Sequence, residues 1–458
     1  MQFISNLIAK GIYYIFHFIS SSHPFDYFKQ NSIFKPYPEK PKSSKMKNLL
    51  TLAILVPAIS CTTQKPDITE WRGPGRTGIY NEQNLLKTWN DSGPAEILTI
   101  ENIGNGYGSP IVTDENIFIT GEIDSSAILH CFDHSGKSLW KTTLGKEWIT
   151  DFPGSRSAPT LVDELIYVGT GKGNLYCIEK ENGQIKWSKE FVKDFNGIYP
   201  MFGHSEAPVV YGDKVFWTAG GTDNNVVALD RFTGAFIWSN KGFSERSAYN
   251  QPNVIELPTR SIFVTFSAYH LMGLDCETGE LLWSHEQDNT PLDKREPGNG
   301  DTHCNTVIFD EGNIYYAEGD GNCGVKLKIS ENGSEIAEIW RNKDFNTYMG
   351  GIVKIDNILY GCAFSKNQLV SVDATTGQLT DSLRIGRGVV IAADNMLYYY
   401  SDKGNMSLVS YRKGKLEEIS AFKITKGTKE HFSHPVIHNG KLYLRHGNAL
   451  MAYNIKKE

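Results

Sequence analysis

The sequence predicts an all-β fold, an eight-bladed β-propeller of four-stranded antiparallel blades closed by an N-terminal strand. Three observations predict it. A phrase made of an acidic residue, a turn ending in Gly and a closing aromatic recurs along the chain. It reads "CFDHSGKSLW" (Cys131 to Trp140), "CIEKENGQIKW" (Cys177 to Trp187), "LDRFTGAFIW" (Leu229 to Trp238) and "LDCETGELLW" (Leu274 to Trp283). It returns without its tryptophan as "VDATTGQL" (Val372 to Leu379). Its period, roughly 50 residues, is that of a four-strand blade. Finally, 43 Gly, 22 Tyr, 23 Phe and 9 Trp in 458 residues, with 21% charged, make a chain of short strands and Gly-rich turns.

The chain opens on "FISNLIAKGIYYIFHFIS", apolar but interrupted by Asn6, Lys10 and His17. A complete export signal, "MKNLLTLAILVPAISC", then starts at Met46. A Lys, a short apolar centre and small residues before Cys61 make a secretory signal too short for a comfortable membrane span. Translation is therefore expected to begin at Met46, with residues 1–45 a non-native extension; a membrane helix over residues 3 to 20 is the other reading. Residues 46–60 resemble a bacterial lipoprotein signal, which makes Cys61 the acylated first residue; an ordinary signal peptide with an incidental Cys is the alternative. Residues 61–94 are read as a polar tether and opening segment.

The repeats fill residues 95–458. The unit is clearest in "SAPTLVDELIYVGTGKGNLYCIEKENGQIKW", Ser157 to Trp187, where alternating strands are bounded by Asp163-Glu164, Gly171-Lys172-Gly173 and Asn182-Gly183. Further units start at Gly108, Glu206, Asn250, His303, Met349, Arg387 and Ser433. An insertion, "DNTPLDKREPGNG", lengthens the interval before Trp340 and is the one elaboration large enough to look like a partner loop. The last unit ends after three strands, and "AEILTIENI", Ala95 to Ile103, can supply the fourth, which removes the exposed sheet edges. In each phrase the acidic residue begins the turn and Gly supplies the positive φ, while Trp140, Trp187, Trp238, Trp283 and Trp340 are expected to pack between neighbouring blades.

A net charge of −6 argues against nucleic acid as a partner. Seven cysteines form no CxxC pair. Cys131 and Cys177 take equivalent places that suit small buried residues; a Cys304 to Cys323 disulfide stays open. The Gly-rich "GTGKGN" joins two strands and opens no helix, so it reads as a hairpin.

The phrase D-x-x-T-G-x-x-x-W at Asp230 to Trp238 and Asp275 to Trp283, with looser copies at Asp133, Glu179 and Asp373, resembles the tryptophan-docking motif of quinoprotein-like (PQQ-type) propellers. "EWRGPGRTGIY", Glu70 to Tyr80, also resembles the opening of exported members. That family includes pyrroloquinoline-quinone alcohol dehydrogenases and non-enzymatic lipoproteins of outer-membrane assembly, so the resemblance implies the fold and leaves function open.

Residues preceding each innermost strand converge on the mouth of a propeller channel. Here they include Tyr107, Arg156, His204, Glu206, Tyr249, Asn250, Asp301, His303, Tyr348, Arg387, His431 and His434, a polar and aromatic ring. Either these positions are simply wet or they form a ligand or partner site. Glu206, Asn250 and Asp301 could imitate oxygen ligands of Ca²⁺ under a quinone, with an Asp as base and Arg387 on a quinone oxygen. Against that, the chain lacks the adjacent Cys-Cys pair of the dehydrogenases, and no tryptophan is assigned to floor the ring. His204, His303 and His434 lie in separate blades with no metal spacing, so no metal is expected. The reading is a lipid-anchored, monomeric binding propeller without catalysis or cofactor. It holds an envelope protein or glycan at the outer membrane, facing the periplasm or the surface; the alternative is a periplasmic PQQ/Ca-dependent oxidoreductase.

Overall fold

The computed structural model describes residues 66–286 and 290–457, so Cys61 and the export signal lie outside the described residues. One compact unit spans Gln64–Glu458. Eight four-stranded antiparallel sheets follow one another along the chain. Blade 1 runs Ile111–Val112, Ile117–Ile123, Ser126–Phe132 and Ser138–Lys146, and blade 2 runs Thr160–Val162, Leu165–Gly169, Asn174–Glu179 and Ile185–Glu190. The innermost strands of blades 3 to 8 are Val209–Tyr211, Asn253–Glu256, Ile308–Asp310, Ile352–Ile355, Gly388–Ala393 and Val436–His438. Each lies a few residues after the unit start expected from sequence. Among the described residues the one α-helix is Phe191–Phe195, between blades 2 and 3.

Closure takes the predicted form. Ala95–Glu101 is the outer strand of blade 8 and pairs antiparallel with Ala449–Asn454, from Ala95 opposite Asn454 to Glu101 opposite Ala449. The fully buried Arg445 ties this blade to the first, donating to the carbonyls of Gly108 (2.9 Å) and Thr120 (2.7 Å). No disulfide joins Cys304 and Cys323; both are thiols.

The repeated phrase is the glue between blades. Asp230 Oδ1 accepts from the Thr233 amide at 2.8 Å, and Asp373 Oδ1 from Thr376 at 2.8 Å, closing turns that Gly234 and Gly377 complete at φ near +70°. Each turn carries a carbonyl that receives the previous blade's indole. Trp140 Nε1 donates to Lys180 (3.1 Å), Trp187 to Arg231 (3.0 Å), Trp238 to Cys276 (3.1 Å) and Trp340 to Ala374 (3.1 Å). Trp283 departs from this. Its indole nitrogen is buried without a partner among the described residues, and the facing turn in blade 5 begins with Ser330 instead of an acid.

Two arms of the opening segment extend the sheets. Ile68–Thr69 adds antiparallel to the innermost strand of blade 2, and Ile79–Tyr80 adds parallel to that of blade 7. The residues between them therefore cross the middle of the ring.

Candidate functional site at the channel mouth

Where the blades begin, a cavity of 460 Å³ opens on the channel axis. Eight rings line it: Trp71, Tyr107, Phe152, Phe202, Tyr249, Tyr348, Phe364 and Phe432. Beside the tyrosine hydroxyls, Arg156, His434, Ser109, Ser205, Gln251, Thr302 and Cys304 bring polar side chains to it, and no Asp or Glu is among the lining residues.

The floor comes from the segment crossing the ring. Trp71 is buried and meets the His434 ring edge to face at 4.9 Å. It is held there by two arginines with almost no exposure. Arg72 donates to the carbonyls of Val390 (2.9 Å) and Ile352 (2.7 Å), while Arg76 donates to those of Ala207 (3.0 Å), Pro208 (2.8 Å) and Pro252 (3.0 Å) and pairs with Glu70 at 2.9 Å. Five carbonyls from blades 3, 4, 6 and 7 are thus bound to one short loop. Burial lowers the Arg72 guanidinium to about 10, still charged at neutral pH. Arg72 Nη1 also donates to His434 Nδ1 at 3.0 Å, and His434 Nε2 donates to the Met349 carbonyl at 3.0 Å. A neutral ring satisfies both contacts, and burial holds His434 well below the usual histidine range. A tryptophan therefore does floor the mouth, contrary to the expectation that none was placed to do so.

Of the twelve residues placed at the mouth from sequence, Tyr107, Arg156, Tyr249, Tyr348 and His434 line the cavity. The other seven do not, and strand geometry gives the main reason. The chain entering each innermost strand is extended, so alternate residues face the channel. Tyr249 and Gln251 line the cavity while Asn250 points into the blade; Thr302 and Cys304 line it while His303 does not. Asn250 instead mimics a strand, donating to the Phe266 carbonyl at 3.0 Å and accepting from its amide at 3.2 Å. Glu206, with no exposed surface, accepts from the Thr218 amide at 3.2 Å, and burial pushes its carboxyl up to about 8. His303 donates to Ala268 O at 3.0 Å and stacks on Phe266 at 4.5 Å. His204 sits edge-on to Phe191 at 4.3 Å, with neither ring nitrogen partnered among the described residues; burial lowers it to about 3. Asp301 is bound by Arg246 at 2.5 Å. Arg387 lies one lobe away, its guanidinium 4.1 Å from the Phe364 ring.

This donor set does not fit a calcium-held quinone. Glu206 and Asn250 are engaged inside their own blades and Asp301 is held by Arg246 from the segment entering the blade before, and no group of three His, Cys, Asp or Glu suited to a metal occurs among the described residues. The polar atoms that do line the mouth are mostly engaged already. Arg156 donates to the carbonyls of Gly154, Asp151 and Phe152 (2.6 to 3.1 Å), Tyr107 Oη to Glu430 (2.8 Å), Ser205 Oγ to Tyr249 O (2.9 Å) and Gln251 Nε2 to Ser205 O (2.8 Å). What remains on offer is aromatic surface.

One side of the rim continues that surface outward. The loops after blades 1 and 2 expose Ile149, Phe152, Ile198, Tyr199 and Met201, Phe152 and Met201 at 45% each. Trp148 packs on Tyr199 at 5.9 Å, and Lys172 lies 4.4 Å above the Trp148 ring. The sequence reading passed over this loop pair because neither breaks the repeat spacing. A signal existed in the adjacent aromatics of "GIYPMFGH", Gly197 to His204.

Comparison with known proteins agrees with the architecture. BamB from Moraxella catarrhalis superposes with a TM-score of 0.56 at 13% identity, over 80% of this chain and 98% of that one. In sequence, the outer membrane protein assembly factor BamB of Shewanella oneidensis is 23% identical over 212 residues, 46% of this chain and 50% of that protein. The quinoprotein ethanol dehydrogenase of Pseudomonas aeruginosa is 25% identical over 158 residues, 31% of this chain and 24% of the enzyme. The chain thus spans about half the length of the assembly factors it matches and about a quarter of the dehydrogenase. A family model described as outer membrane protein assembly factor BamB matches residues 124–380, more than half of the chain, and it is to this family of PQQ-type propellers that the chain belongs.

Proposed function

We propose that this chain is a non-catalytic binding propeller of the cell envelope that holds a protein partner at its channel mouth, as an assembly factor of the outer membrane. The observation that carries the reading is the mouth itself: an aromatic cavity continuous with an exposed apolar rim, whose polar lining is mostly engaged by neighbouring groups. Such a surface suits apolar side chains of a protein better than the hydroxyls of a glycan, which need unengaged polar partners. Membership of the assembly-factor family supports the same reading. The absence of carboxylates from the cavity lining supports binding without quinone chemistry. Residues 1–45 are read as outside the native protein. Residues 46–60 serve as the lipoprotein signal, 61–94 as tether and opening segment, and Cys61 anchors a monomer to the outer membrane, facing the periplasm or the surface.

The test uses the mature chain in the envelope of its own host. A photo-crosslinking residue at Met201 is expected to trap an envelope protein, and the same residue at Ile339, on the flank of blade 5, is not. Equal trapping at both positions, or none at Met201, would remove the mouth as the partner site. Calorimetry with pyrroloquinoline quinone and Ca²⁺, with a dye-linked alcohol assay, is expected to show neither saturable binding nor turnover. Substituting Cys61→Ala is expected to release the chain from membranes, and unchanged retention would rule out the lipid anchor.

A further inference from the structure

Beside the main cavity is a side lobe of 110 Å³ that shares four of its walls, Tyr348, Met349, Phe364 and Phe432. Its chemistry differs. Arg387 and Asp402 both line it, placed side by side by the bond from the Asp402 amide to the Arg387 carbonyl at 2.8 Å. They form no ion pair with each other. The Arg387 Nε donates to Phe364 O at 3.3 Å, and its two Nη groups have no partner among the described residues; nor has the Asp402 carboxylate. A cation and an anion thus stand unengaged in one small lobe, at the edge of a cavity where the other polar groups are largely engaged.

The two compartments are joined by stacked rings. The Arg387 guanidinium lies 4.1 Å from the Phe364 ring, and Phe364 stacks on Tyr348 at 4.7 Å. A planar arginine over an aromatic ring keeps its fork directed at a carboxylate while its face is covered. At 460 Å³ the main cavity is in the range of small-molecule sites, roughly 300–1,000 Å³.

We infer that the mouth is also a small-molecule site for a compact zwitterion with an aromatic body, of the kind an aromatic α-amino acid presents. The rings of the main cavity take the planar body. In the lobe, Arg387 receives the carboxylate and Asp402 the ammonium. A ligand with only one of these charges leaves the other lobe residue without a counter-charge inside a partly desolvated pocket, so discrimination is built in. This site shares the mouth with the partner surface, but its distinguishing charges lie in the side lobe, so its test is read without partner capture.

Calorimetry on residues 66–458 decides it with three probes of one body: L-tryptophan, indole-3-propionate and tryptamine. L-tryptophan is expected to bind saturably at one per chain, about tenfold or more tighter than either single-charge probe. Arg387→Gln should abolish its advantage over tryptamine, and Asp402→Asn its advantage over indole-3-propionate, with near-ultraviolet circular dichroism unchanged in both. Tyr348→Ala should weaken all three probes together. Equal affinity for L-tryptophan and either analogue, no binding of L-tryptophan, or binding that both lobe variants leave untouched would overturn the inference.

Discussion

At the scale of single residues, the ring buries three histidines and a glutamate in their neutral forms. Burial lowers His204 to about 3 and His130 and His303 to about 4, against an ordinary 6.5. Below pH 6.5 the unfolded chain takes up protons that the folded one refuses, so stability that is full above 6.5 is lost as pH falls toward 4. Glu206 works in the other direction. Its folded carboxyl holds its proton up to about 8 against an ordinary 4.5, so its contribution is complete below 4.5 and disappears as pH rises to 8. Denaturant unfolding is expected to show falling stability from pH 6.5 to 4. Glu206→Gln, which keeps an acceptor for the Thr218 amide, should gain on the native chain between pH 5 and 8. A constant difference across that range would show that Glu206 ionises in the fold without penalty.

At the scale of elements, the docking tryptophans allow a controlled comparison. Trp238 packs between blades and donates to Cys276 O; Trp283 lies across from Gly273 but its indole has no acceptor among the described residues. Truncation of either to Ala should remove about 3–5 kcal/mol through lost packing. Substitution by Phe separates the terms. Trp238→Phe leaves the buried Cys276 carbonyl without this donor and should cost about 1–3 kcal/mol more than Trp283→Phe, read from denaturation midpoints at constant slope. Equal losses would assign the whole effect to ring packing. The same turn chemistry explains why these elements were legible from sequence. An Asp whose carboxylate caps the turn and a Gly at positive φ leave a local signature that needs no knowledge of the rest of the fold.

At the scale of the molecule, legibility follows from how far apart in sequence the interacting groups stand. The eight blade starts and the closing strand could be read because they repeat. The loop carrying Arg72 and Arg76 could not, because it occurs once and its partners, from Ala207 to Val390, are carbonyls that any sequence provides. For the mouth, the stretches were found and the parity within them was not. Polar residues at both phases were taken together, and those facing into the blades, Asn250 and His303 among them, belong to the backbone ladder instead. Removing residues 95–101 should lower the melting temperature by ten degrees or more and broaden the transition, since it exposes the edge Ala449–Asn454 and unseats Ile100 from the core. An unchanged melt would mean that the ring holds without its clasp.

That clasp also sets a timetable. Ala95–Glu101 is synthesised well before its partner Ala449–Asn454. At about 5–20 residues per second, the intervening chain takes on the order of 20–70 seconds to appear. Throughout that interval a strand of seven residues waits with its hydrogen-bonding edge open, and no earlier blade is its partner in the finished ring. Closure of the ring therefore waits for the eighth blade, and a chaperone that shields Ala95–Glu101 would protect the strand that waits for it.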